Sequence, residues 1–189
     1  EALGVSRSQA DSLVESRQIT VNGVLAKIGQ QVEETDQVLF QNRPVALRDY
    51  QYLMLNKPVG YLSSRRSQGG DKTIYDLLPE KYHHLKAAGR LDKDSSGLMI
   101  LTNDGQFIQE LTHPSIGKSK VYEVTLDKPL NNSQKTRLEK GVNIGDSRPS
   151  KLQLQGSGKN WQVTLSEGRN RQIRRSFKAL GFEVVKLHR

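Results

Sequence analysis

The run Ile19-Thr20-Val21-Asn22-Gly23-Val24-Leu25-Ala26 leaves its backbone little choice. Two strand-like triplets flank Asn-Gly, the pair best able to take positive φ at both centres of a two-residue turn, so the segment reads as a tight antiparallel hairpin. Ahead of it, Ser6 or Ser8 can cap a helix whose apolar face is Ala10, Leu13 and Val14. Val38-Leu39-Phe40 adds a further strand. The polar, proline-broken stretch from Asn42 to Tyr50 then reads as the boundary of a first small module.

Charge separates the same two parts. Up to Asp49 the chain carries five basic and seven acidic side chains, a net −2, which leaves +11 of the overall +9 to the remaining residues. A basic balance favours polyanionic partners through steering and counterion release. With 189 residues and 34% hydrophobic content, one ordinary domain plus a small module can be buried. Cysteine is absent, which excludes disulfides and thiolate metal sites and suits the cytoplasm. His83 and His84 are adjacent, and His113 and His188 stand alone, so no zinc site is expected. No apolar stretch approaches the roughly 18 residues of a membrane span, and no signal peptide is visible.

Beyond the boundary the pattern alternates short strands, turns and helices. Tyr52 to Asn56 reads as a strand entering Lys57-Pro58-Val59-Gly60, and Thr73 can cap a short helix through Leu78, ended by Pro79. Leu98 to Thr102 reads as a strand, Asn103 to Gly105 as a turn, and Gln106 to Leu111 as a helix. "KVYEVTL", Lys120 to Leu126, alternates like a half-buried strand. Ser133 to Lys140 is expected to be helical with Gly141 as its stop, and Lys151 to Leu154 and Trp161 to Leu165 to be strands. The whole is expected to be α+β with a largely antiparallel sheet.

Two segments are candidates for chemistry, the first of them either a decorated turn or a reaction centre. "GRLDKDSSGL", Gly89 to Leu98, places Arg90, Asp92 and Asp94 in a loop where a turn needs only Gly, Asp and Ser. By that reasoning Asp94 and Asp104, each beside Ser or Gly, are turn residues, while Gly89 and Gly97 serve the backbone. In the tail, a helix from Arg171 to Leu180 puts Ile173, Phe177 and Leu180 on one side. Arg171, Arg174, Arg175 and Lys178 fall within an opposite arc of about 100°, with Arg174 at its edge. Such a stripe is either a solvated helix face or, because no acid is interspersed, the face for an anionic partner.

"NKPVG", "GRLDKDSSGLMILTNDG", "KVYEVTL" and "EGRNRQIRR…GFEVVKLHR" occur in an order that resembles the bacterial pseudouridine synthases of the RsuA/RluB/RluE/RluF group. "GVSRSQA" followed by "ITVNG" resembles the S4 RNA-binding module that these proteins carry at their N-terminus. The resemblance implies an S4-like part over residues 1–45 without the module's opening helix, and a catalytic part over 50–189 that stops before the family's domain usually does. It implies isomerisation of uridine to pseudouridine in ribosomal RNA on a flipped-out nucleotide, with no cofactor and no metal. Asp92 is then the catalytic carboxylate, Arg174 its ion-pair partner and Tyr122 the ring that stacks on the base. Arg90 helps displace the nucleotide, and Lys57 either positions phosphate or lies on the surface. Arg7 and Arg17 orient the RNA, while Arg171, Arg175 and Lys178 meet its phosphates. A cytoplasmic monomer is expected, and "EGRNRQIRR" with "LTHPS" favours 23S over 16S ribosomal RNA. The alternative is a non-catalytic rRNA-binding protein on the same scaffold.

Overall fold

The computed structural model describes residues 3–33, 35–46, 49–113 and 117–189. Part of the boundary stretch (47 and 48) and of "LTHPS" (114 and 115) therefore lies outside the described residues. The chain divides into two compact units, Glu1–Gln51 and Tyr52–Arg189.

In the small unit, helix α1 (Arg7–Glu15) starts at Ser6, whose hydroxyl accepts from Gln9 N while the Gln9 side chain accepts from Ser6 N. This reciprocal pair satisfies two backbone donors that the first turn cannot. Four short strands follow in the order β2-β1-β3-β4: β1 (Ile19–Val21), β2 (Val24–Leu25), β3 (Val38–Phe40) and β4 (Arg43–Pro44). Asn22 and Gly23 take φ of 50° and 80°, as the hairpin requires. The Asn22 side chain also donates to Asp36 Oδ1 at 2.8 Å and accepts from Gln37 N at 2.9 Å, which fastens the turn to the approach of β3. Among the described residues of this unit, Val21 is the buried apolar side chain.

The large unit contains two antiparallel sheets. One has the order β5-β7-β6, from β5 (Tyr52–Lys57), β6 (Lys86–Ala87) and β7 (Gly97–Thr102). The other has the order β11-β8-β10-β9, from β8 (Lys120–Leu126), β9 (Gln153–Ser157), β10 (Asn160–Leu165) and β11 (Val184–His188). Helices α2 (Gly105–Thr112), α3 (Asn132–Lys140) and α4 (Gln172–Lys178) complete it. Each sheet has its own apolar cluster: Ile74, Leu85, Leu91, Met99 and Leu101 under the first, Val124, Leu126, Trp161, Val163 and Phe177 among those under the second. Tyr122 packs against both.

The main chains of the two sheet regions are joined by a parallel bridge between Ser96 and His188. Ser96 N donates to Leu187 O, Arg189 N to Ser96 O and Leu98 N to Arg189 O, all at 2.9–3.0 Å. Between these bonds Gly97 adopts φ 129°, and a Cβ there would stand 2.2 Å from Arg189 O. Glycine is required by that approach.

Two expected elements differ in detail, and one strand is not expected from the sequence. The Thr73-capped helix is a single 3-10 turn, Ile74–Leu77, because Pro79 disfavours helical backbone at Leu78, which is extended at φ −111° and ψ 143°. The strand expected at Lys151–Leu154 runs instead from Gln153 to Ser157, where it pairs with β10. Strand β11, in the "GFEVVKLHR" motif, pairs with β8 with a register shift between Val184 and Lys186 that hides its alternation. Among the described residues, no helix is long and apolar enough to cross a membrane.

Candidate active site

The site grows from a buried cation. Lys57 ends β5 opposite Gly97, and its side chain is fully buried. Its ammonium donates to Ser95 O at 2.7 Å, Asp92 O at 3.0 Å and Pro58 O at 3.1 Å. Burial lowers the Lys57 pKa below its ordinary value, opposed by the charges of Asp92 and Asp94. The expectation of a phosphate-contacting or surface lysine is therefore corrected. All three ammonium protons are directed inward, and the residue ties two loops together.

The rest of the loop is fixed with equal thoroughness. Ser63 Oγ donates to Leu91 O at 2.7 Å and accepts from Leu91 N at 3.1 Å. Gly60 N donates to Lys93 O at 2.7 Å, Ser95 N to Asp92 O at 3.0 Å, and an Arg174 nitrogen to Asp94 O at 2.7 Å. Each residue from Leu91 to Ser96 thus has a main-chain group held by another part of the unit or by the loop itself. From this platform the Asp92 carboxylate stands 31% exposed.

Two arginines from the tail motif meet the loop. Arg171 grips Asp94 with two nitrogens, at 2.7 and 3.0 Å, and lies 3.7 Å from Asp92 Oδ2. Arg174, only 13% exposed, donates to Val184 O and Asp94 O at 2.7 Å each, and its Nε stands 3.2 Å from Asp94 Oδ2. The expected Arg174–Asp92 ion pair is thus corrected: the guanidinium within ion-pair distance of Asp92 is that of Arg171, and Arg174, which interacts with the Asp92 charge from farther off, clasps the loop to β11. The reading of Asp94 as a mere turn residue is corrected as well. Partial burial raises its pKa, but the Arg171 hydrogen bond and the charges of Arg174 and Arg171 outweigh this and hold it below the usual carboxylate value.

The arginine stripe resolves differently from the helical arc. Arg171 has a left-handed backbone, φ 46°, and precedes α4 instead of lying in its first turn. The acids missing from the stripe come from elsewhere in the unit, Asp94 and Asp146, and from Glu167 just ahead of it. Arg175 pairs with Asp146 at 2.5 Å and also donates to the carbonyls of Ile144 and Asn170. Arg169 binds Glu167 at 2.8 Å, Asp146 at 3.3 Å and the carbonyls of Arg148 and Pro149. Gln172 joins Glu167 to Ser150. Lys178 is exposed, as are Arg90, Arg7 and Arg17. Tyr122 is half-buried on β8, against the cluster that contains Leu91.

Asp94, Asp146 and Glu167 are the pairing acids that sequence reasoning missed. Asp146 lies 29 positions before its partner Arg175, and Asp94 lies 77 before Arg171, so no local spacing reveals either pair. A shallow depression lined by Val59, Gly60, Lys93, Asp94 and Arg171 opens beside this loop.

Residues 51–179 match the RNA pseudouridylate synthase family, and residues 2–38 match the S4 domain. The chain belongs to the RNA pseudouridylate synthase family. It is 35% identical to the ribosomal large subunit pseudouridine synthase B of Bacillus subtilis, over 97% of this chain and 79% of that protein. It is 36% identical to the ribosomal small subunit pseudouridine synthase A of Haemophilus influenzae, over 100% of this chain and 84% of that one. A solved pseudouridylate synthase superposes with a TM-score of 0.70 at 33% identity, covering 99% of this chain and 83% of its own. Within the synthase domain the loop 89–98, the end of β5 and the start of α4 are the elements that converge on Asp92.

Proposed function

We propose that this chain converts uridine to pseudouridine in ribosomal RNA, with the Asp92 carboxylate as the group that acts on the nucleoside. The reaction breaks the N1–C1′ bond, turns the uracil and joins C5 to C1′; the proton lost from C5 is balanced by one gained at N1. It needs an anion beside the sugar and base that is ionised and fixed in place. The observation that carries the reading is the setting of Asp92: a partly exposed carboxylate on a loop whose backbone is held from Leu91 to Ser96, with Arg171 at 3.7 Å. Fixing the loop in advance removes an ordering cost from the reaction.

Tyr122 supplies the apolar surface on which the base stacks, and the exposed Arg90 fills the place vacated when the uridine leaves its helix, a step costing a few kcal/mol. The names of the relatives divide between the two ribosomal subunits, so both RNAs are substrates to test. Unmodified transcripts of each are incubated with the protein, and pseudouridine is mapped by carbodiimide-dependent stops in reverse transcription. Asp92→Asn keeps the shape and the anchored carbonyl but not the nucleophile, and conversion should fall by at least about 10³-fold with RNA binding retained. Appreciable conversion by Asp92→Asn overturns the assignment. Binding without conversion by the unaltered protein would support the non-catalytic reading.

A further inference from the structure

Two cations line the depression beside Asp92, and each is already engaged by a carboxylate of the same chain. Arg171 forks Asp94, and Lys93 Nζ stands 2.6 Å from Asp71 Oδ1. Both cations face water, with Arg171 44% and Lys93 48% exposed; the single-contact Lys93 pair is of the weak, exposed kind, and the Arg171 fork, although bidentate, holds a carboxylate that is itself 45% exposed, so an anion from solvent can reach both cations. Arg174 and Arg175 differ, because each also holds backbone carbonyls that cannot turn away without opening a loop.

To a guanidinium or an ammonium, an aspartate carboxylate and a phosphodiester present the same acceptor chemistry. Resting on the reading that this face binds RNA, we propose that Asp94 and Asp71 are specificity-determining residues that occupy Arg171 and Lys93 in place of RNA phosphates until the correct backbone displaces them. A phosphate of arbitrary RNA must compete with a tethered carboxylate and gains nothing else. A substrate whose uridine reaches Asp92 brings its neighbouring phosphates to both cations at once and displaces both acids. Only side chains need to move, since Lys93 O remains on Gly60 N and Asp94 O on Arg174.

The test uses oligoadenylate, a single strand that contains no uridine, titrated at several salt concentrations. Asp94→Asn and Asp71→Asn are each made in an Asp92→Asn background, so that a freed Arg171 cannot transfer to Asp92. Each freed cation should add one phosphate contact, steepening log K against log salt by about 0.7 and tightening binding several-fold at low salt. Adding Arg171→Gln to the Asp94→Asn protein should abolish its gain, which separates a freed cation from a disturbed fold. An unchanged or shallower slope in either variant overturns the assignment of that aspartate. Uridine conversion by the unaltered protein is scored separately, so failure of the functional reading is distinguishable from failure of this one.

Discussion

Two groups of ion pairs share the segment from Glu167 to Arg175, and they are built differently. One joins Arg169 and Arg175 to Asp146 and Glu167, and there each guanidinium also holds backbone carbonyls. The other joins Arg171 to Asp94, and this guanidinium meets side chains only, in an exposed setting. Arg174 belongs to the first type by its contacts, although it stands at the Asp92 loop. The difference teaches that the carbonyl, more than the carboxylate, separates a brace from a cation available to a ligand. A carboxylate can turn to water; a loop carbonyl can do so only if the loop opens.

The comparison is tested hardest at Lys57, a cation whose observed hydrogen bonds all go to carbonyls. Lys57→Met keeps the length but takes the ammonium from the Ser95 carbonyl in a buried setting and leaves the Asp92 carbonyl with the Ser95 N–H alone. The expected cost is about 2–4 kcal/mol in urea unfolding, reduced because a desolvated ammonium is removed at the same time. Conversion should fall too, since the platform under Asp92 is loosened. A cost below about 1 kcal/mol would mean that water replaces the ammonium and that carbonyl bracing is a weak criterion.

Asp146→Asn addresses the braced group, and its effect should be smaller because the carbonyl contacts of Arg169 and Arg175 remain. The Asp146 carboxyl is held below its ordinary value, chiefly by the Arg175 hydrogen bond. Hydrogen bonds from Gln172 and Arg169, with the nearby arginine charges, outweigh burial to do the same for Glu167. Carboxyls lowered in the fold contribute stability that is fully present above their unfolded values, near 4, and is lost as pH falls through the folded ones. The unaltered protein should therefore lose melting temperature below about pH 4, and Asp146→Asn should show a lower plateau and a shallower acid decline. An identical acid limb in the two proteins would remove Asp146 from the account.

What the sequence made legible follows from how local the determining contacts are. The 19–26 hairpin and the Ser6 cap rest on neighbours within a few residues, and β8, although paired with the distant β10 and β11, carries its own alternation; each lies where its pattern places it. The loop bearing Asp92 stands out by residue types that a turn does not need. The inward direction of Lys57 was hidden, because its partners at 92 and 95 are over thirty residues away and are backbone oxygens that carry no residue signature. The helical arc misplaced Arg171 because a left-handed residue before α4 breaks the 100° step on which the arc depends. A stripe of arginines read without its distant acids looks like a phosphate face, whereas Arg175 is engaged internally.

The smallest predicted effect sharpens the comparison most. Lys93–Asp71, at 2.6 Å, is nearly as short as Arg175–Asp146 at 2.5 Å, so distance alone predicts similar importance. Exposure and carbonyl bracing predict otherwise. Asp71 keeps its backbone bonds to Gln68 and Ser67 when its carboxylate becomes an amide, and Lys93 can extend into water. Asp71→Asn should therefore change unfolding stability by no more than about 0.5 kcal/mol, and by less still at 1 M salt, where the screening length is about 3 Å. Asp146→Asn should cost more than this at low salt and keep more of its effect at 1 M. Urea unfolding of both variants at the two salt concentrations decides the matter. If Asp71→Asn proves the more costly, the two groups do not differ in kind, and Lys93 is a brace instead of a cation held ready for a ligand.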